Sequence, residues 1–113
     1  MEESKVEKLT RDYQSAQEKL QSLALQRAQF QQQKSELSEA QKRVKSAEGK
    51  IYYQIGGAIV ETKKEDALND ISEKLESVDM RLTIINKQYA EASSQEQKLR
   101  DELRKLLEPN NGA

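Results

Sequence analysis

The chain has no cysteine, no histidine and no tryptophan, and among its 113 residues only four glycines and one proline. Each absence closes off a class of chemistry. Without Cys and His there is no disulfide, no thiol nucleophile, no zinc site of the usual kind and no Ser-His triad. With aromatics at 4%, only Phe30 and the four tyrosines supply large rings, and a chain this short has little interior to bury. No long apolar run exists either. The stretch Ile55 to Val60 contains two glycines and falls far short of the roughly 20 residues that cross a bilayer. The beginning, Met1-Glu2-Glu3-Ser4-Lys5, has no apolar signal region, so a soluble, intracellular chain is expected. Charge of one sign is missing too. There are 19 basic and 20 acidic residues, and no basic block stands out, which argues against nucleic acid or an anionic membrane as partner.

What is present is Glu, Lys, Gln, Ala, Leu and Ser, the composition of long helices and coiled coils. The breakers divide the chain. Gly49, Gly56, Gly57, Pro109 and Gly112 leave residues 1–48 and 63–108 free of glycine and proline, which permits one continuous helix in each run. Both runs carry alternating steps of three and four. In the first they fall on Val6, Leu9, Tyr13, Ala16, Leu20, Leu23, Arg27, Phe30, Lys34, Leu37, Gln41 and Val44. In the second they fall on Leu68, Ile71, Leu75, Val78, Leu82, Ile85, Tyr89, Ala92, Glu96, Leu99, Leu103 and Leu106. A heptad pattern sustained this long is a coiled-coil seam, and it stays aligned only if the helices supercoil left-handedly.

Between the runs the pattern changes. Lys50-Ile-Tyr-Tyr-Gln-Ile55 is rich in β-branched and aromatic residues, with Ile51, Tyr53 and Ile55 on one face of a strand and Tyr52 and Gln54 on the other. Gly56-Gly57 offers the positive φ angles of a two-residue turn, and Ala58-Ile-Val-Glu-Thr62 is the returning strand. Gly49 is placed to cap the first helix. Thr62-Lys-Lys-Glu65 reads as a capping box for the second. The expected fold is mainly α: a long antiparallel two-helix coiled coil joined by a short β-hairpin. Its divisions are helix 1 over 1–48, hairpin over 50–62, helix 2 over 63–108 and a disordered tail over 109–113, all in a single domain. Pairing outward from the hairpin sets Val44 beside Leu68, Phe30 beside Leu82 and Val6 beside Leu106. A register slipped by one heptad satisfies the same pattern. Because both arms start and end together, pairing within the chain is preferred to a parallel homodimer.

Three features stand apart from the plain coiled coil. The hairpin is apolar on both faces, and an isolated hairpin is marginal in water with edges that invite association. It reads as an assembly element carried by Ile51, Tyr53, Ile55, Gly56, Gly57, Ile59 and Val60; a connector packed on the helix ends is the alternative. The far ends of the arms bring Val6, Leu9 and Tyr13 together with Leu99, Leu103, Leu106 and Leu107. Helix ends fray, so these residues are either ordinary last turns or an adaptable apolar surface. On residues alone the ordinary turn is preferred. Finally, Arg27, Lys34, Gln41 and Glu96 put polar groups on the seam, where they specify register at some loss of stability. Leu25, Met80 and Ile84 point outward as isolated apolar residues, which is normal. No catalytic residue, metal site or cofactor is expected: a two-helix arrangement offers no concave pocket to tune carboxylates, and Gly56-Gly57 lacks the companions of a phosphate loop.

The order helix, hairpin, helix, with Tyr52-Tyr-Gln-Ile-Gly-Gly-Ala-Ile-Val-Glu61 at its centre, resembles the beta-type subunits of prefoldin. Tyr53, Ile55, Gly57, Ile59 and Val60 match that family's pattern. The Gly56–Glu61 stretch looks most like the eukaryotic subunit 2 branch, but Gln54 and Tyr52 replace that branch's basic residue and its Cys, so archaeal beta subunits fit equally. The resemblance implies a cytoplasmic, ATP-independent chaperone. It would assemble through its hairpin with alpha-type prefoldin subunits, usually two alpha and four beta, hold unfolded polypeptides and pass them to a group II chaperonin. On this chain the client contacts would be Val6, Leu9, Leu103, Leu106 and Leu107, which reverses the preference drawn from the residues alone. A coiled-coil scaffold or spacer that docks one partner through the hairpin, without binding unfolded clients, is the alternative.

Overall fold

A computed structural model describes residues 4–108. Helix α1 spans Lys5–Ser46, strand β1 Ile51–Ile55, strand β2 Ala58–Thr62 and helix α2 Lys64–Leu107. The tail expected over 109–113 lies outside the described residues.

The helix boundaries have identifiable chemical causes. Ser4 opens α1: its Oγ accepts from the Glu7 backbone N–H at 3.1 Å, and its carbonyl accepts from Lys8 at 3.1 Å. Ser4-Lys5-Val6-Glu7 has the Ser-x-x-Glu spacing of a capping box, a local signal independent of the heptad pattern. At α2 the expected Thr62–Glu65 capping box does not form, because the helix starts one residue later. The first helical bond runs from Ala67 N–H to the Lys63 carbonyl at 3.0 Å, so Lys63 holds the cap position. Thr62 instead ends β2, with its hydroxyl 3.5 Å from the Lys63 carbonyl.

Gly49 also departs from its expected role. The helix stops at Ser46, and Gly49 takes a positive φ of 93° three residues later, where the chain turns into β1. The closing carbonyls of α1 are met by a side chain from the other helix. The Lys64 ammonium donates to the carbonyls of Lys45 at 2.7 Å and Ala47 at 3.2 Å. A cation here satisfies acceptors that the helix leaves unpaired and sits at the negative end of its dipole.

The chain forms two compact units: a terminal unit, up to Arg27 and from Ile84 onward, and a hairpin unit from Ala28 to Thr83. Within each, the helices pair antiparallel. In the terminal unit Leu9 clusters with Leu99 and Leu103, while Arg27 stacks over Tyr89 with its guanidinium 3.9 Å from the ring centre. In the hairpin unit the Lys34 ammonium lies 2.7 Å from the Asp79 carboxylate, next to Val78, its unslipped counterpart. A one-heptad slip would bring Lys34 to Ile71 or Ile85, so the Lys34–Asp79 pair and the Leu9–Leu103 cluster fit the unslipped register. All nine buried helical residues (Leu9, Leu23, Val78, Leu82, Ile85, Ala92, Glu96, Leu99 and Leu103) stand at seam positions. Leu25, Met80 and Ile84 are exposed, as their outward spacing requires. Lys34 and Leu106 are the two seam positions that stay exposed: the first reaches out to Asp79, the second stands in the last turn before Leu107. No described helix is long and apolar enough to cross a membrane.

Candidate interaction surfaces

The hairpin surface is built by strand pairing alone. The register sets Ile51 opposite Thr62, Tyr53 opposite Val60, Ile55 opposite Ala58, Tyr52 opposite Glu61 and Gln54 opposite Ile59. Alternation along a strand then puts Ile51, Tyr53, Ile55, Ala58 and Val60 on one face, and Tyr52 and Ile59 with Gln54 and Glu61 on the other. Gly56 makes the turn at φ 57°, in the left-handed region that side chains disfavour. Gly57 lies outside that region, and a Cβ built on it meets nothing within 4 Å. Only the first glycine of the pair is therefore demanded by the turn, a narrower requirement than two positive φ angles.

Of the hairpin side chains, Ile51 alone is buried. Tyr52, Tyr53, Ile55, Ile59 and Val60 remain exposed, from 39% at Val60 to 74% at Ile59. The Ile51 face overhangs the helices and leaves an open cleft of about 630 Å³, with Ala40, Val44, Ala67 and Ile71 among its walls. The Ile51 face is the better covered of the two, and at the hairpin's base the Lys50 ammonium lies 4.0 Å from the Glu61 carboxylate. An exposed apolar patch of this kind is the mark of an interaction site, and an unpaired strand edge is a template for another chain.

The terminal unit treats its apolar residues differently. Leu9, Leu99 and Leu103 form a buried cluster, with Val6, Tyr13 and Ala16 packed against it. Of the five expected client contacts, Leu9 and Leu103 are therefore buried and Val6 half-buried, whereas Leu106 and Leu107 are exposed at 43% and 62%. The structure does not gather all five into one open patch.

One feature of this unit exceeds its reading as a mere polar seam position. Glu96 is only 9% exposed, the sole buried charged residue among those described. The Tyr13 phenol oxygen, on α1, accepts a hydrogen bond from the Gln17 amide at 3.0 Å. The Arg100 guanidinium stands 3.9 Å from the Glu96 carboxylate. Loss of water around the phenol, then hydrogen bonding to Glu96 and its negative charge, raise the Tyr13 pKa above the ordinary phenol value, while Arg100 works in the opposite sense. Heptad spacing identifies Tyr13 and Glu96 as seam residues but cannot say that they meet, because that depends on register and side-chain reach.

Comparison with known proteins gives one consistent family. The prefoldin subunit family matches residues 7–110. The prefoldin subunit beta of Pyrococcus abyssi is 30% identical over 86 residues, covering 72% of this chain and 74% of that protein. The prefoldin subunit beta of Archaeoglobus fulgidus is 26% identical over 109 residues, covering 95% and 94%. In three dimensions the chain is similar to the crystal structure of the prefoldin beta subunit from Thermococcus strain KS-1, with a TM-score of 0.86 at 24% identity, over 95% of this chain and 96% of that one.

Proposed function

The chain belongs to the prefoldin family, and we propose that it works as a beta-type subunit: an ATP-independent holdase in the cytoplasm that assembles through its hairpin, captures unfolded polypeptides and passes them to a group II chaperonin. The observation that carries this reading is the bare hairpin, with five large apolar side chains exposed in the single chain. Pairing with the hairpins of alpha-type subunits and of further beta subunits removes edges and apolar faces together. Two alpha and four beta is the stoichiometry that the resemblance to prefoldin beta subunits implies. The assembly residues are Ile51, Tyr53, Ile55, Gly56, Gly57, Ile59 and Val60. The client contacts are Val6, Leu9, Leu103, Leu106 and Leu107, of which Leu106 and Leu107 are open in the isolated chain.

The mechanism is one of weak contacts used several at a time. Each chain offers a small apolar surface, so a single contact is short-lived. Several chains of one assembly engaging the same client raise effective concentration and hence avidity. No step in this scheme needs a nucleotide, a metal or a proton transfer.

Coexpression with an alpha-type subunit, native mass measurement and light scattering of a denatured client test both halves. A hexamer that suppresses scattering without ATP is expected. A chain that stays alone in the presence of the alpha subunit overturns the assembly role. A hexamer that leaves scattering unchanged overturns client holding and turns the reading to a scaffold.

A further inference from the structure

Few side chains fix the hairpin on the helices. Ile51 is the one buried residue of its two strands, and a two-stranded hairpin is marginal by itself. Its connections are short: residues 47–50 lead from α1 into β1, and Lys63 alone stands between β2 and α2. Gly49, at φ 93°, turns the first of them. One side chain joins the two connections. Lys64, the first residue of α2, donates its ammonium to the Lys45 carbonyl, in the last turn of α1, at 2.7 Å, and to the Ala47 carbonyl, just beyond that helix, at 3.2 Å.

We propose that Lys64 is a positioning residue for assembly: by tying the end of α1 and the start of β1's connection to the first turn of α2, it fixes the direction in which the hairpin leaves the helices and so presents the apolar strands to other subunits. The inference rests on the hairpin-assembly reading above and assigns part of that role to a residue outside the strands.

The physical basis is the choice of acceptors. Both carbonyls belong to backbone that α1, ending at Ser46, no longer pairs. A charged donor makes a stronger hydrogen bond than a neutral one, and a cation at a helix C-terminus is favoured by the helix dipole. The Lys50–Glu61 pair, by contrast, joins one side of the hairpin's base to the other and not to a helix. Without Lys64 the connection keeps a glycine whose missing Cβ would meet nothing within 4 Å, so nothing packed around Gly49 restrains its turn. A binding element already held in its bound direction loses less freedom on association, which strengthens binding without adding a contact. The seam residues that pair the helices do not include Lys64, so the tie matters more to assembly than to folding.

The absence of cysteine allows the hairpin's direction to be measured on the full chain. Gln54→Cys with Glu73→Cys puts one spin label on the hairpin and one on α2, both at exposed positions. A single narrow distance distribution is expected. Lys64→Met, which keeps an apolar stem without the donors, is expected to broaden that distribution while helix content stays unchanged; Lys64→Gln serves in its place if the Met variant does not stay soluble. Without labels, Lys64→Met is expected to bind an alpha-type subunit several-fold more weakly, and Lys64→Arg, which restores a cationic donor, to recover much of the loss. Leu23→Ala is the stability control: it truncates a buried residue of the terminal unit and is expected to lower melting more than Lys64→Met does, yet to assemble normally. A distance distribution or an affinity that stays at the wild-type value in Lys64→Met overturns the positioning role. An equal loss of affinity in Leu23→Ala overturns it too, because lost stability then accounts for both. Ile59→Asp separates this inference from the reading beneath it: if that variant assembles normally, hairpin assembly itself falls; if it fails while Lys64→Met assembles like the wild type, only the role of Lys64 falls.

Discussion

The hairpin and the terminal unit both carry concentrated apolar side chains, yet they dispose of them in opposite ways. In the hairpin, backbone pairing completes the local structure and still leaves Tyr52, Tyr53, Ile55, Ile59 and Val60 in water. Two strands have two faces and two edges, and the Ile51 face is only the better covered of the two. In the terminal unit, Leu9, Leu99 and Leu103 find each other across two helices and are buried without outside help. The first arrangement is unsatisfied at rest and calls for a lasting partner. The second is satisfied at rest within its own unit. That is the physical difference between a surface that needs a partner and a core that does not.

The strongest challenge to this contrast is Ile59→Asp. At 74% exposure the residue contributes little to the single chain, so helix content and melting should stay near wild type, within about 0.5 kcal/mol. Assembly with an alpha-type subunit should nevertheless be lost, because a charge would be buried without a partner. A complex of normal mass would remove the hairpin's assembly role. Leu103→Ser with Leu106→Ser comes next. The buried Leu103 should cost about 2 kcal/mol or more of local stability, seen as faster amide exchange in the terminal unit, while native mass stays that of the assembly and suppression of client aggregation weakens.

The paired glycines give a finer test. Gly56→Ala forces a Cβ into the left-handed region, a cost of about 1 kcal/mol, whereas Gly57→Ala meets open space in the single chain. Thermal melting should separate the two. If Gly57→Ala leaves melting unchanged but blocks assembly, Gly57 is required by a neighbouring subunit and not by the turn.

The smallest effect belongs to Tyr13. Its pKa is raised in the folded chain, which means that folding favours the neutral phenol. The stability this provides is complete below the unfolded phenol value of about 10 and is lost as pH rises through the higher folded value. A melting series through alkaline pH should fall more steeply for the wild type than for Tyr13→Phe, which has no such group to titrate. Parallel curves would mean that the phenol stands free of Glu96.

Much of the architecture is legible along the chain because its cause is periodic. Alternating three and four steps mark the seam residues, and every buried helical residue is among them. The two strands and the turn follow from a short β-branched and aromatic stretch centred on Gly56-Gly57. The helix ends are less legible, since capping depends on which backbone groups are left over. Ser4 caps α1 through a local spacing that a close reading can find. Lys64 reaches the end of α1 from the first turn of α2, and no local pattern announces a bond across 17 or 19 residues.

The candidate sites divide along the same line. The assembly residues stand out in sequence because apolar residues on both faces of a short hairpin cannot all be covered by one chain. The expected client residues do not, because heptad spacing marks a leucine as a seam residue without saying whether it is buried, as Leu9 and Leu103 are, or exposed, as Leu106 is. Sequence by itself determined the helix, hairpin, helix order, the seam and the unsatisfied hairpin, since each follows from local spacing and from covalent limits on the backbone. Tertiary structure alone decided the register, the burial of Leu9 and Leu103, the exposure of Leu106, and the meeting of Tyr13 with Glu96. Those depend on which residues of one helix stand opposite which of the other, and a repeat of seven looks the same after every slip of seven until side chains of particular size and charge meet.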